Sequence, residues 1–252
     1  MGMIKSAPRK IEFDAGRHFR AKIGYILLAT EQTIEDDVAK IHIPGVGSHF
    51  ARLPSPDSIT VANLRALGDH LAPTAATLLP DGSSDVITYG CTSGSLVVGE
   101  DRVFAEINKG APTAKASSII TAVKRALKTV GATNIVVATP YLDEINADEA
   151  EYMENSGFRV LDIQGLNIEN DSDMVRVTPE FIASFAASLD RPDADAIFIS
   201  CGALRSLDIV DQLEQKVQKP VICSNQAMIW DALRLAGIND PIDGYGNLFR
   251  KH

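Results

Sequence analysis

Short apolar runs alternate with longer amphipathic stretches along most of the chain. Residues 23–29, 134–139 and 196–200 are almost wholly apolar, which is typical of strands covered on both faces. Between such runs lie stretches like residues 117–131, where apolar side chains recur at helical spacing and Gly131 marks the end. Strands that alternate with helices in this way predict an α/β fold with parallel sheets.

The two halves of the chain share one layout. Residues 22–30 correspond to residues 134–140, and the segment around Cys91 corresponds to the segment around Cys201. A repeat of this length is too long for a solenoid and fits two copies of one α/β unit. We therefore predict two pseudo-symmetric parallel-sheet α/β lobes with the active site in the cleft between them. The predicted divisions are a lead-in over residues 1–21, a first lobe over 22–116 with part of the C-terminal region, a second lobe over 117–237, and a tail over 238–252.

Composition narrows the class of protein. The chain has 252 residues, 45% of them hydrophobic and 23% charged. These values are ordinary for a globular protein whose core is large enough to be stable without disulfide bonds or structural metal ions. Its net charge of −9 argues against nucleic acid as the main partner, and its apolar runs are too short for a bilayer. Three cysteines do not make a disulfide framework, so we expect a cytoplasmic protein. No motif with metal-ligand spacing is present, and we expect no metal and no cofactor.

Cys91 and Cys201 are the candidate catalytic residues. Each cysteine ends an apolar strand, is flanked by glycine and small residues, and precedes a helical pattern. Glycine lets backbone N–H groups turn towards a ligand, and a helix start favours negative charge, so we expect both thiol pKa values to be lowered. The alternative is a pair of ordinary buried thiols in tight turns. In the catalytic interpretation, the neighbours Thr92, Ser93, Gly202 and Ala203 would stabilise negative charge on the substrate.

Two thiols on opposite faces of one carbon allow several reactions. One thiolate removes a proton from one face while the other thiol returns a proton to the opposite face, which inverts a stereocentre without a cofactor. A thiolate can instead add to a C=C bond, and rotation about the resulting single bond then gives cis–trans isomerisation. A single cysteine could also protonate the enediolate left when CO₂ departs. A redox-active pair and a small-acid binding module that performs no chemistry are further alternatives.

The patterns Gly90-Cys91-Thr92-Ser93 and Ser200-Cys201-Gly202, in a duplicated α/β layout, resemble the aspartate/glutamate racemase superfamily. The resemblance is strongest to its maleate cis–trans isomerase and arylmalonate decarboxylase branch, and it covers roughly residues 23–249. It implies a racemase or isomerase that acts on a small carboxylic acid and assembles as a dimer or larger homo-oligomer. The decarboxylases of this branch have glycine where this chain has Cys91, so the presence of both cysteines favours racemase or isomerase.

The resemblance also points to residues outside the cysteine motifs. Tyr141 matches a strand-end tyrosine that contacts a substrate carboxylate in this branch, and Ser224 and Asn225 are candidate carboxylate ligands. Glu31 stands where maleate isomerases have an asparagine, which argues against a dicarboxylate and favours a substrate with an amine or cationic ring nitrogen. Residues 90–95 and 165–178 also resemble the ectoine-utilisation protein A group, presumed racemases or isomerases of ectoine catabolism.

Overall fold

The computed structural model describes residues 5–252. Each half of the chain forms a four-stranded parallel sheet, with the strand orders β2-β1-β3-β4 and β6-β5-β7-β8. Because the two orders are the same, the second half repeats the topology of the first, and the predicted fold class is confirmed. The strands are β1 (Ala21–Leu28), β2 (Val46–Leu53), β3 (Val86–Tyr89), β4 (Lys115–Ser118), β5 (Asn134–Thr139), β6 (Arg159–Gly165), β7 (Ala196–Ile199) and β8 (Val221–Cys223).

Helices connect the strands and cover the sheets. They are α1 (Ile34–Lys40), α2 (Val61–Ala66), α3 (Gly68–Ala75), α4 (Thr92–Val98), α5 (Glu100–Gly110), α6 (Ile119–Thr129), α7 (Asp143–Asn155), α8 (Asp171–Met174), α9 (Pro179–Ser188), α10 (Val210–Val217), α11 (Ser224–Leu235) and α12 (Gly246–Lys251). No helix within residues 5–252 has both the length and the apolar character that a membrane span requires.

Local sequence signals account for several helix ends. The Ser118 hydroxyl accepts a hydrogen bond from the backbone N–H of Thr121 at 3.3 Å and so begins α6. Thr178 begins α9 in the same way, with Pro179 at its first position, where the missing N–H costs nothing. Beyond α6, Gly131 adopts a φ of +77°, which is the left-handed conformation that glycine tolerates best.

The two halves share one packed interior. Helix α11, which follows the last strand of the second sheet, packs on α6 and on strands β3 and β4 of the first sheet. One continuous apolar cluster includes Ile26 and Ile87 from the first half together with Val136 and Ile197 from the second. This contact aligns the carboxyl ends of β1, β3, β5 and β7 around one space, where ligands bind in open parallel sheets.

Short elements of the structure were not predicted from the sequence. Strand β4 was not predicted, and it spans the expected boundary at residues 116/117. The expected tail contains α12, where Leu248 and Phe249 are fully buried. Helix α11 begins at Ser224, directly after β8, because Cys223 caps it through a reciprocal bond pair with Gln226. A four-residue strand and a six-residue helix carry too few repeats for a clear periodicity.

Candidate active site

Cys91 and Cys201 occupy corresponding places in the two sheets. Cys91 follows β3 and is the N-cap of α4, where its Sγ accepts the Gly94 backbone N–H at 3.2 Å. Cys201 follows β7 and has a φ of +96°, a backbone conformation that is strained for any residue with a Cβ. Its N–H donates to Ser224 Oγ at 3.0 Å. The fold therefore holds both thiols at the carboxyl ends of central strands.

The two cysteines line one cavity between the two halves of the chain. The predicted residues that line this cavity with them are Glu31, Thr92, Ser93, Tyr141, Gly202 and Ala203. The space left between these side chains is only about 10 Å³, close to the minimum for a single water molecule. Surface clefts of about 390 and 330 Å³ lie elsewhere and contain neither cysteine. The candidate site is therefore a narrow pocket in this structure, and a substrate larger than a water molecule needs it to widen.

Tyr141 lies at the carboxyl end of β5, and only 2% of its surface is exposed. Burial is the main cause that raises the pKa of its hydroxyl well above the ordinary value, and the neighbouring Cys201, Glu149 and Cys91 add to the effect. The tyrosine therefore stays protonated and can donate a hydrogen bond inside the cavity. Its contact with a substrate carboxylate remains a prediction.

Glu31 is buried at the end of β1, with 5% of its surface exposed. Its Oε1 accepts the N–H groups of Thr33 at 2.5 Å and Ile34 at 2.9 Å, so the carboxylate caps the start of α1. Burial is the main cause that raises its pKa to about 7, and the negative charge of Asp171 adds to the effect. Near neutral pH this carboxyl group is thus close to its midpoint of ionisation.

Asp171 is a second carboxylate in the cavity, although it was not among the predicted site residues. It begins α8 in the segment after β6, is 4% exposed, and accepts the Thr30 hydroxyl on Oδ2 at 2.6 Å. Burial raises the pKa of Asp171, and nearby Asp57 raises it further. It lies six residues beyond the end of β6, within a polar stretch, so its sequence position does not distinguish it from a solvated loop residue.

The expectation that both thiol pKa values are lowered is wrong. Burial raises the pKa of Cys91 to about 11, although the Gly94 N–H and the Ser93 hydroxyl act in the opposite direction. Burial also raises the pKa of Cys201 well above its usual range, and the charge of Asp171 adds to this. The hydrogen-bond donors seen in the sequence are present, but loss of water and a nearby negative charge outweigh them. Both cysteines are therefore neutral thiols in the structure.

Ser224 and Asn225 lie behind the cavity, in the first turn of α11, and neither lines it. Besides accepting the Cys201 N–H, Ser224 Oγ lies 3.0 Å from Thr92 Oγ1, so this one hydroxyl joins the two cysteine segments. The Asn225 amide donates to Gly202 O at 2.9 Å and to Asp37 Oδ2 at 2.8 Å. Both side chains support the turns around the thiols, and their role as substrate ligands remains a prediction.

A cover made from both halves closes the cavity. Residues 57–59 of the first half pair with residues 169–172 of the second. The Ile59 N–H donates to Glu169 O at 2.9 Å, and the Asp57 carboxylate accepts the N–H and hydroxyl of Ser172 at 2.9 and 2.6 Å. The cover also places Met174, whose Sδ is 3.9 Å from Cys201 Sγ, against the thiol. Because these pairs are few and largely exposed, their separation is a low-cost way to open the site.

The chain is similar in sequence to known enzymes. The family model described as arylmalonate decarboxylase matches residues 57–249. The arylmalonate decarboxylase of Bordetella bronchiseptica is 33% identical over 139 residues, which are 53% of this chain and 57% of that enzyme. The alignment thus spans a little over half the length of that relative. A maleate isomerase of Nocardia farcinica is 23% identical over 246 residues, covering 91% of this chain and 96% of that enzyme.

The fold is also similar to that of solved structures. One of them is a cysteine mutant of the Nocardia farcinica maleate cis–trans isomerase with a covalently bound succinylcysteine intermediate. It superimposes with a TM-score of 0.84 at 22% identity and covers 92% of this chain and 99% of that one. At this identity the likeness establishes a shared fold over nearly the whole length of both chains.

Proposed function

The chain belongs to the arylmalonate decarboxylase family, and we propose that it is a cofactor-independent isomerase that uses Cys91 and Cys201 on a small carboxylic acid. Its reaction is racemisation or cis–trans isomerisation. The observation that carries the proposal is that the two halves of the chain each bring one cysteine to a single buried cavity. Relatives named maleate isomerase and the succinylcysteine intermediate seen in one of them support chemistry at cysteine.

For racemisation, one thiolate takes the proton from the carbon next to the substrate carboxylate, and an S–H bond replaces the C–H bond. The electron pair of that bond moves onto the carboxylate, which becomes an enediolate. The thiol on the opposite face then gives its proton to the same carbon, and the carboxylate forms again with inverted configuration. In cis–trans isomerisation a thiolate adds to one carbon of the C=C bond, and the π electron pair moves onto the carboxylate of the other carbon. After rotation about the resulting single bond, this pair forms the C=C bond again and the S–C bond breaks to release the thiolate.

The neighbours of the thiols are suited to the charge that develops. Thr92 and Ser93 line the cavity beside Cys91, and Gly202 and Ala203 line it beside Cys201. Hydroxyl and N–H donors that are already oriented stabilise an enediolate more than they stabilise the resting acid, which lowers the barrier. The neutral Tyr141 hydroxyl adds a further donor next to Cys201.

A decarboxylase is the second candidate function, because the alignment of highest identity described above is with an arylmalonate decarboxylase. In that reaction the C–C bond to one carboxylate breaks, CO₂ leaves, and Cys201 protonates the resulting enediolate. Cys91 has no necessary part in it. The two candidates therefore differ in whether the enzyme needs Cys91. Under either of them we expect the enzyme to work in the cytoplasm as a homo-oligomer.

The test is proton exchange in D₂O followed by NMR. Wild type, Cys91→Ser and Cys201→Ser are each incubated with maleate, aspartate, phenylmalonate and ectoine-derived acids. Cys223→Ser is the matched control, because Cys223 is equally buried but does not line the cavity. We expect deuterium at one carbon, or the appearance of the isomer, in wild type and in the control, and loss of both in the two cavity variants.

Other outcomes would replace the proposal. CO₂ release that survives Cys91→Ser would identify the decarboxylase. Absence of turnover with every acid, while the acids still bind, would leave the small-acid binding module. Loss of activity on mild oxidation, with recovery on reduction and a Cys91–Cys201 disulfide in the mass spectrum, would favour the redox pair.

A further inference from the structure

The cavity that holds the two thiols also holds two carboxylates and no basic side chain. Glu31 comes from the end of β1 in the first half, and Asp171 comes from the start of α8 in the second. Both are more than nine-tenths buried, and no lysine, arginine or histidine lines the cavity with them. Buried carboxylates usually have a cationic partner or become neutral. In the part of the chain that the structure describes, this pair has no cationic partner, and burial raises the pKa of both carboxyl groups instead.

The hydrogen bonds of the two carboxylates orient them but do not neutralise them. Glu31 uses Oε1 for both of its backbone N–H bonds, and Asp171 uses Oδ2 for the Thr30 hydroxyl. Asp171 Oδ1 accepts no hydrogen bond from residues 5–252, although it belongs to a side chain that is 4% exposed. An unpaired acceptor in such a place is available to a donor on a ligand.

Arg52, which lies in β2 beside the Glu31 loop, binds other groups. Arg52 donates to the backbone carbonyl of Glu31 at 2.7 Å and to the Glu35 carboxylate at 2.7 Å. Its guanidinium group therefore forms an exposed ion pair with Glu35 and holds the backbone of the Glu31 loop. It makes no hydrogen bond to either cavity carboxylate and so is not the cationic partner of the pair.

We propose that the substrate is a small carboxylic acid that carries a protonated nitrogen, and that this cation binds between Glu31 and Asp171. The proposal rests on the function proposed above and specifies its substrate class. A dicarboxylate would place its second negative charge next to two acidic side chains, whereas a protonated nitrogen would supply the missing partner. The substrate carboxylate then faces the hydroxyl groups of Thr92 and Ser93, on the Cys91 side of the cavity.

Cation binding would also prepare the thiols for chemistry. The charge of Asp171 is among the causes that raise the pKa of both Cys91 and Cys201. A cation that pairs with Asp171 cancels this charge and adds a positive charge near both thiols, so each thiolate becomes easier to form. The enzyme would thus generate its thiolate only when the correct substrate is bound, and the resting thiols would be protected from oxidation.

The experiment compares three four-carbon probes that differ in charge: succinate, aspartate and 2,4-diaminobutyrate. Their affinities for the full-length wild type are measured by calorimetry at low salt, together with affinities for Asp171→Asn and Glu31→Gln. We expect wild type to bind 2,4-diaminobutyrate most tightly and succinate most weakly. Each variant should weaken binding of 2,4-diaminobutyrate by about tenfold, since a lost charge pair of ordinary strength has this effect.

Two results would overturn the inference: tightest binding of succinate by wild type, or an affinity for 2,4-diaminobutyrate that is unchanged in both variants. The wild-type order alone decides the question if a variant fails to fold. Binding is measured without turnover, so the inference and the proposed function can fail separately. Cation-preferring binding without any proton exchange would refute the isomerase alone. Rapid isomerisation of maleate would refute the substrate class and leave the isomerase in place.

Discussion

Glu149 offers a test of how strongly the interior next to Cys201 disfavours charge. This residue lies on α7 and is fully buried. Its Oε1 accepts the hydroxyl of Ser200 at 2.6 Å, and its Oε2 has no hydrogen-bond partner among the residues described. Burial raises its pKa from 4.5 to about 7, against the opposing effect of the Ser200 bond. Ser200 directly precedes Cys201 in the chain, so the Glu149 carboxyl group helps to hold the strained backbone at Cys201.

The raised pKa makes stability depend on pH in a definite direction. Between pH 4.5 and pH 7 the folded protein holds a proton on Glu149 that the unfolded chain has released, so stability falls as pH rises through this window. A change from 4.5 to about 7 corresponds to a full cost of about 3 kcal/mol once the group is ionised in both states. About 2–3 kcal/mol of this cost develops between pH 5 and pH 8.

We expect Glu149→Gln to remove this part of the pH dependence. Glutamine keeps the oxygen that accepts the Ser200 hydroxyl but cannot ionise, so the variant gains stability relative to wild type as pH rises. The assay is thermal unfolding at pH 5 and pH 8. The Tm of the variant minus the Tm of wild type should be larger at pH 8 than at pH 5 by roughly 5–10 °C. Comparing the two pH values cancels any constant cost of burying the amide.

Glu151→Gln is the control, because Glu151 is exposed on the same helix and its replacement should leave the comparison near zero. The reasoning would be refuted if Glu149→Gln and wild type lost the same Tm between pH 5 and pH 8. That outcome would mean that Glu149 ionises at its ordinary pKa, and hence that water reaches it.

Two more substitutions test the supports of the site. Ser224→Ala leaves the Cys201 N–H and the Thr92 hydroxyl without their shared partner. It should lower the free energy of unfolding, measured with urea, by about 1–3 kcal/mol. An unchanged urea midpoint would mean that water replaces the hydroxyl. Asp57→Asn weakens the two hydrogen bonds to Ser172 that help to hold the cover. Iodoacetamide should then alkylate the cavity thiols several-fold faster than in wild type at the same pH. An equal rate would mean that the pocket opens at another place.

The fold was largely predictable because its signals are local. Parallel strands covered on both faces give apolar runs such as residues 23–29, and the layout recurs with a cysteine at the same place in each half. Strand β4 escaped prediction because its sequence, Lys115-Ala116-Ser117-Ser118, lacks β-branched and aromatic residues. It is a strand because β3 pairs with it in register, which is a tertiary effect.

Residues that reach the site through tertiary contacts were harder to identify. Asp171 is buried because its N–H donates to Asp57 O, across a large sequence separation, and because Thr30 donates to its carboxylate. The polar sequence around Asp171 contains no trace of either contact. Glu31 could be identified because it directly follows a strand whose end was already assigned to the cleft.

The repeat that made the two cysteines recognisable also suggests that they are equivalent, and the structure shows that they are not. Cys91 has ordinary extended backbone and caps a helix, with two hydrogen-bond donors that favour its thiolate. Cys201 sits at a positive φ, and the charges of both Asp171 and Glu31 act against its ionisation. Burial raises the pKa of both thiols, the charge of Asp171 acts on both, and Cys201 also has nearby donors in Tyr141 and Ala203. The two half-sites therefore differ in backbone conformation and in the effect of Glu31, so Cys91→Ser and Cys201→Ser remove thiols from different surroundings and should not slow the reaction equally.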